Sequence, residues 1–210
     1  MEPKERRAKA RNRMRARILD AARTLFARQG FEAVTMREIG RKIGYTATAL
    51  YYHFPDKRTL LRELCDADFR ALSDYFRRLG RIADPVERIR RTGLAYFNFG
   101  LEYPQHYRLM FMTRRLEPLP DELSIEKGNP DEDAYAFLLT AVREAVAARR
   151  FRPDLQDANL AAQVFWAGVH GVVALHLTKS GSQWIDWRPA GKTAETMVES
   201  LLRGFLRANQ

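Results

Sequence analysis

The sequence predicts an all-α protein of about nine helices. An N-terminal three-helix unit containing a helix-turn-helix precedes a larger helical bundle. Three observations carry this. Apolar residues recur three and four positions apart through nearly the whole chain. No alternating strand pattern of useful length and no internal repeat appears. Helix start and stop signals punctuate the chain at regular intervals.

The segment from Thr35 to Lys57, TMREIGRKIGYTATALYYHFPDK, is the most informative. Thr35 followed by Glu38 has the spacing of a capping box. Met36, Ile39 and Ile43 then share one helical face, leaving Arg37, Arg41 and Lys42 outside. Gly44 suits the left-handed position that ends a helix. Thr46 is placed to cap a second helix over about 47–53, with Leu50 inward and Ala47, Thr48, Tyr51 and Tyr52 outward. Pro55 stops that helix, and Asp56 caps the next. Two short helices joined by a glycine turn are the unit that lays a helix in the DNA major groove.

Beyond it, residues 57 to about 80 form one long amphipathic stretch. Asp84-Pro85-Val86-Glu87 reads as a capping box with proline at the first helical position, opening a helix to about Tyr103. Pro104 starts a short helix through Met112. Residues 113–129 read as loop. Asn129-Pro130-Asp131-Glu132 is expected to cap a helix ending near Arg150. Another follows Pro153 and runs to Thr178. A last helix runs from about Ala190 to Ala208, with Ala194, Met197, Val198, Leu201, Leu202 and Phe205 as its apolar stripe.

Charge is unevenly spread. Residues 1–58 hold 15 Lys/Arg against 6 Asp/Glu, which is +9 of the formal +10. A basic end on a near-neutral body implies an anionic partner, with salt-dependent binding through counterion release. Eight of those cations (Lys4, Arg6, Arg7, Lys9, Arg11, Arg13, Arg15 and Arg17) fall in the first 17 residues. Residues 1–13 are expected to be a self-repelling, disordered arm that touches DNA backbone or minor groove. No apolar core follows them as in a secretory signal. The domain expectation is thus 1–13 arm, 14–56 helix-turn-helix domain, and 57–210 helical domain.

Residues 14–64 resemble the N-terminal domain of the TetR family of one-component transcriptional regulators, through Ile18, Ala21, Ala22, Leu25, Phe26, Gly30, Thr35, Ile39, Gly44, Leu50, Tyr51, His53, Phe54, Lys57 and Leu60. The family usually carries a small residue or glycine where this chain has Thr48, and valine-serine where it has Tyr45-Thr46. The resemblance implies a double-stranded DNA operator as partner. It implies DNA-contacting roles for Thr35 and Arg37 on the first helix of the pair and Thr46, Ala47, Thr48 and Tyr51 on the second. Tyr52 and His53 would meet backbone, and Lys57 would clamp a phosphate. A helix-end cap is the alternative role for His53.

The resemblance also implies that the C-terminal bundle binds a ligand and dimerises. Phe165-Trp166-Ala167-Gly168-Val169-His170-Gly171 and Tyr103-Pro104-Gln105-His106-Tyr107-Arg108-Leu109-Met110-Phe111 are similar to a subset of the family marked by Trp, His and Gly in this helix. The last two helices would pair with their twins in a four-helix interface. The residues assigned there are Val169, Val172, Val173, His176, Met197, Leu201, Leu202 and Phe205, with Ala167, Gly168 and Gly171 allowing close approach. From Leu160 to Leu177 the chain is apolar almost all round and near membrane-spanning length. Gln163, His170 and His176 would be costly in lipid, so a helix buried on every side is expected and no membrane partner.

Tyr96, Phe99, His106, Tyr107, Met110, Phe111, Phe137, Trp166 and His170 are the residues expected to line a site for a small apolar or amphipathic effector. The alternative is that the aromatics simply fill the core. No cofactor or metal site is expected: His170 and His176 are six apart and face different ways around a helix. No nucleophile elbow is present. Gly191-Lys192-Thr193 lacks the glycine a phosphate loop needs at position 186. The single cysteine, Cys65, permits no internal disulfide and fits a reducing cytoplasm. The expected function is therefore a homodimeric, sequence-specific repressor released from a palindromic operator by a small hydrophobic ligand, and not an enzyme. The alternatives are a non-specific architectural DNA binder or a helical enzyme using the C-terminal site.

Overall fold

The computed structural model describes residues 3–112 and 125–207. Among these it is all-helical, with nine α-helices and a single isolated β-bridge between Phe151 and Leu206. The helices are α1 (Pro3–Gln29), α2 (Met36–Ile43), α3 (Ala47–Tyr51), α4 (Lys57–Arg77), α5 (Pro85–Glu102), α6 (Pro104–Tyr107), α7 (Ala134–Ala147), α8 (Ala158–Lys179) and α9 (Ala190–Phe205). A 3₁₀ turn, Arg78–Arg81, follows α4, and a π-helical turn, Arg108–Met112, follows α6.

Several expectations shift. Helix α1 runs from Pro3, so the described part of the expected disordered arm is helical. Arg, Lys and Ala are strong helix formers, and α1 propagates outward from its buried C-terminal half at little cost per residue. The capping residue of α7 is Asp133, which accepts from the amides of Tyr135 and Ala136. Asn129 instead accepts from the Asp131 amide and closes a turn. Asp84 caps α5 as expected, accepting from the Val86 and Glu87 amides. Glu87 does not reach back to complete the box; it pairs with Arg90 and Arg91. Residues 113–124 of the expected loop lie outside the described residues.

The chain divides into two compact units, and the division falls inside α4. The first comprises the chain up to Asp68 together with the stretch beginning at Gln105. Its core is Ile18, Ala22, Phe26, Val34, Ile39, Leu50, Phe54, Leu60 and Leu64, drawn from α1 to α4. At its edge lies a buried charge cluster. Asp68 is 0% exposed, and its carboxylate accepts from Arg23 Nε at 3.0 Å and Nη2 at 2.8 Å. Arg23 Nη1 also reaches Asp20 at 2.7 Å. His106 Nδ1 lies 2.9 Å from the same Asp68 carboxylate. Cys65, one turn earlier on α4, is buried, and burial with Asp68 and Asp66 nearby pushes its thiol up to about 12. That places it far from a reactive thiolate.

The second unit is a bundle in which α5 packs against α7, α8 and α9. Gly93 makes this possible on α5: a Cβ there would come within 2.8 Å of Phe165 and 3.0 Å of Val198. Gly168 does the same for the α8–α9 crossing, where a Cβ would meet Leu201 at 2.7 Å.

Removing one partner of a buried ion pair leaves the other charge uncompensated, typically about 3–5 kcal/mol. Asp68→Ala is therefore expected to lower stability by roughly that amount, seen as a lower urea midpoint. A stability within about 0.5 kcal/mol of the parent, the usual range for a neutral surface change, would show that the cluster does not hold the first unit together.

Candidate DNA interface and effector region

The helix-turn-helix forms by local rules. The Glu38 amide donates to Thr35 Oγ1 at 3.2 Å, and the Thr35 amide donates to the Glu38 carboxylate at 2.8 Å. This reciprocal bonding, first with the Thr35 backbone and then with its hydroxyl, holds the Glu38 carboxyl below its usual range. Gly44 ends α2 at φ 78°. Gly40 is equally constrained, and the sequence reading does not single it out: a Cβ there would lie 2.6 Å from the Tyr45 carbonyl. The available signal is a glycine inside an otherwise good helix. Thr46 accepts from the Ala49 amide at 3.3 Å and opens α3.

Helix α3 is shorter than expected, ending at Tyr51. Thr35, Arg37, Thr46 and Thr48 are exposed, Ala47 is half-buried, and Leu50 is buried. Tyr51 is 51% and Tyr52 81% exposed, unusual for tyrosines and apt for a surface awaiting a partner. Thr48 and Tyr51 of α3, flanked by Thr46 and Tyr52, thus face outward, as do Thr35 and Arg37 at the start of α2.

Lys57, expected to clamp a phosphate, meets backbone carbonyls of its own unit. Its ammonium donates to the carbonyls of Phe31 at 2.8 Å, Val34 at 2.9 Å and Glu32 at 3.4 Å, and lies 4.2 Å over the Phe31 ring. With three donors in total, it is committed to bracing the loop between α1 and α2. His53 is half-buried, with its ring edge-on to Tyr52. Its Nδ1 is buried and has no hydrogen-bond partner among the described residues. Burial first, then Arg15 and Arg11, hold its pKa below the ordinary imidazole value, so it is neutral at pH 7.

Two cations of the basic run brace the same domain. Arg15 donates to the His53 carbonyl, pairs with Glu63, and stacks 4.3 Å from the Phe54 ring centroid. Arg17 donates to the Ile43 carbonyl at 3.1 Å and lies over Tyr45. Lys4, Arg6, Arg7, Lys9, Arg11 and Arg13 are exposed along the helical start of α1.

The residues expected to line an effector site are divided. Tyr96, Phe99, Phe137, Trp166 and His170 belong to the second unit; His106, Tyr107, Met110 and Phe111 belong to the first. Phe99 is fully buried against Tyr75 and Tyr103, and Phe137 packs on Phe76, as core residues do. Tyr107 is buried against Phe111. A tighter group forms on α5, α7 and α8. The Tyr96 hydroxyl lies 3.1 Å from His170 Nδ1, and the Trp166 ring sits between His170 and Tyr135. Tyr135 is not among the expected residues, because a single tyrosine at the start of α7 carries no local signal.

Of the expected dimer residues, Val169, Val172, Val173, Leu202 and Phe205 are buried within the protomer, while His176, Met197 and Leu201 are half-buried, the last two against Gly168 of α8. The outward face of α8 is a different one: Leu160, Val164, Ala167, Gly171 and Leu175. At 100° per residue these five fall within one narrow sector. Periodicity cannot separate the two faces because both are apolar.

An exposed helix-turn-helix with a basic approach, joined to an all-α bundle, defines a DNA-binding regulator. Residues 18–64 match the family model of bacterial regulatory proteins, tetR family, and residues 89–202 match the Tetracyclin repressor-like C-terminal domain. The HTH-type transcriptional repressor KstR2 of Mycolicibacterium smegmatis is 31% identical over 148 residues, 67% of this chain and 69% of that one. The regulator UidR of Escherichia coli is 35% identical over 75 residues, 36% of this chain and 35% of its own. The solved structure of the ketosteroid transcriptional regulator KstR2 of Mycobacterium tuberculosis superimposes with a TM-score of 0.73 at 21% identity, covering 92% of this chain and 95% of that one. The fatty acid degradation regulator FadR of Bacillus halodurans shares the fold with a TM-score of 0.67 at 17% identity, over 90% and 94% of the two chains. The chain belongs to the TetR family of transcriptional regulators and is not an enzyme.

Burial lowers the pKa of His170 as well as that of His53, from an ordinary value of 6.5. The unfolded chain therefore takes up these protons first as pH falls, and stability drops with pH from about 6.5 downward until the folded histidines also protonate. Glu38, Asp56, Asp84 and Glu87 are held low and act only below 4.5. Melting temperature should thus be lower at pH 5 than at pH 7.5, and a His53→Gln/His170→Gln double variant should narrow the gap. An unchanged gap would assign the pH dependence to other groups.

Proposed function

We propose that this regulator is a cytoplasmic homodimeric repressor that leaves a palindromic operator when a small apolar or amphipathic molecule binds the α5–α7–α8 region. The observation that carries the DNA half is the exposed pair Tyr51 and Tyr52 at the end of α3, together with the capped, exposed start of α2. The repressor KstR2 of Mycolicibacterium smegmatis supports repression, and the structural neighbours KstR2 and FadR are named for ketosteroids and fatty acid degradation.

Helix α3 has no charged side chain. Base reading by this helix then rests on Thr48, Ala47 and Tyr51, groups suited to thymine methyls and single hydrogen bonds. Affinity comes from phosphate contacts around it, from the exposed cations of α1 and from Arg37, Arg41 and Lys42. Half-sites one turn apart, about 34–36 Å, demand two copies held at fixed separation. A ligand that binds the DNA-incompetent shape better weakens DNA binding, and DNA weakens ligand binding by the same factor. Helix α4, whose residues are divided between the two units, is the covalent element through which that coupling passes.

Operator binding by anisotropy, with excess random-sequence competitor, tests this reading. A specific site should be preferred by about 10³–10⁷ over random DNA. Tyr51→Ala should weaken it about ten- to hundredfold, from about 1–3 kcal/mol per base contact. Removing residues 1–13 should flatten the slope of log affinity against log salt by about 0.9 for each phosphate no longer neutralised. Binding that vanishes into the competitor would favour a non-specific DNA binder.

The outward face of α8 and the small uncharged residues Thr193, Thr196, Ser200 and Gly204 on the exposed side of α9 support a helix-on-helix interface with a second copy. Val164→Glu should convert the dimer to monomer by light scattering without lowering helix content. A dimer that tolerates this glutamate would place the interface elsewhere.

A further inference from the structure

We propose that His106 is a positioning residue of the DNA-binding unit: through the buried Asp68 carboxylate it makes operator affinity depend on the chain segment that follows α5. The inference rests on the operator-binding reading above and adds to it a residue outside the helix-turn-helix.

The path of the chain is the first observation. It leaves the first unit after Asp68, runs through the rest of α4 and all of α5 in the second, and re-enters the first at Gln105. His106 is the next residue, and its Nδ1 lies 2.9 Å from Asp68 Oδ1. The two ends of this excursion therefore meet at one carboxylate. Tyr107 and Leu109, both buried, seat the returning segment, and its π-helical turn packs on α1.

The second observation is that Asp68 does not need His106 to balance its charge. Arg23, itself buried, places Nε and Nη2 on the carboxylate at 3.0 and 2.8 Å, a two-donor geometry that matches the two ions to each other. Asp20 takes Arg23 Nη1. With the ion pair complete, His106 adds a constraint: it ties the start of α6 to the register that Arg23 and Asp68 fix between α1 and α4. A carboxylate approached from three helices holds them in one arrangement, and networks with discrete arrangements are what carry a change from one place to another.

The segment itself is built to move. The side-chain oxygen of Gln105, next to His106, is buried and meets no hydrogen-bond partner among the described residues. A buried acceptor left without a donor is costly, so a shift of α6 that brings it one is favoured, and that shift carries His106 with it. Helix α6 has only four residues and continues into the π-helical turn, a pattern found mostly as single turns at functional sites. Only Tyr103 separates α6 from α5, so a displacement of that end of α5 is passed along the chain to His106. This is a route beside α4 by which the state of the bundle reaches the DNA-binding unit.

Operator binding by full-length variants, measured well below their melting temperatures and with folding checked by circular dichroism, tests the assignment. His106→Leu should weaken specific binding about tenfold, the scale of one polar contact to a charged group. Random-sequence DNA, held through its phosphates, should bind as it does to the parent. His106→Asn, whose amide nitrogen falls near the place of Nδ1, should recover most of the loss. A residue that only stabilises the fold would lower the melting temperature and leave the affinity of the folded protein unchanged. Hydrogen exchange adds a readout that needs no operator: His106→Leu should speed exchange in α1 and in residues 57–68 of α4, and leave α7 to α9 as in the parent. Unchanged operator affinity in His106→Leu, an equal loss on specific and random DNA, no recovery in His106→Asn, or unchanged exchange in α1 and α4 would each overturn the assignment. A parent protein that selects no preferred site from a random DNA library would instead overturn the operator reading, and the exchange experiment would still decide whether His106 holds α1 and α4.

Discussion

The carboxylate of Asp68 is the constraint on which the first unit is organised. It is fully buried, and it lies on α4 just where that unit ends. Arg23 of α1 satisfies it with two parallel donors, and His106 of α6 approaches it from a segment 38 residues further along the chain. Apolar packing alone would allow α1 and α4 to slide by a turn. A bidentate guanidinium–carboxylate pair has one good geometry, so it fixes the register of these helices. Such a pair adds little stability over a well-packed apolar one. What it contributes is position, and position is what a DNA-binding head requires.

The same economy governs the basic N-terminus. The charge surplus of residues 1–58 suggests a cloud of equivalent phosphate-seeking cations, but the structure sorts them. Lys57, Arg15 and Arg17 end on backbone carbonyls at the ends of helices and in the loop that α2 follows. A cation at a helix C-terminus meets both unpaired carbonyls and the negative end of the macrodipole. These three therefore brace the helix-turn-helix, and the outer cations of α1 stay exposed. A substitution at Lys57 that weakens operator binding would do so by loosening the loop at 30–34.

What is legible in the sequence is local. Thr35, Thr46 and Asp84 cap their helices as their spacing requires, and Gly44 takes the left-handed position a helix end calls for. Where several capping residues stand close together, spacing points to the wrong one, as with Asn129 and Asp133, since any Asx side chain can accept from an amide two residues on. Contacts across tens of residues leave no trace. Nothing beside Lys57 marks the carbonyls it meets 23 to 26 positions earlier, and nothing beside Asp68 marks Arg23. The family resemblance points to a DNA-facing surface but not to the backbone carbonyls that Lys57 meets. The inventory of aromatics in the body gathers into one set residues that the fold separates: Phe99 and Phe137 pack in the core, and Tyr96, Trp166 and His170 adjoin Tyr135.

Helix α8 shows why a hydrophobic pattern cannot be read as one environment. It is long and apolar enough to cross a bilayer, yet only a third of its most apolar stretch is buried. Its inner face, with Phe165, Val169, Val172 and Val173, packs against α5, α7 and α9. Its outer face pairs large residues at the ends, Leu160, Val164 and Leu175, with small ones, Ala167 and Gly171, between them. A lipid-facing helix gains nothing from small residues, because lipid conforms to any profile. A rigid helix does gain, because its backbone can approach only where side chains are small. The exposed side of α9 carries the small uncharged residues Thr193, Thr196, Ser200 and Gly204. Both faces thus suit a partner of fixed shape better than a fluid one.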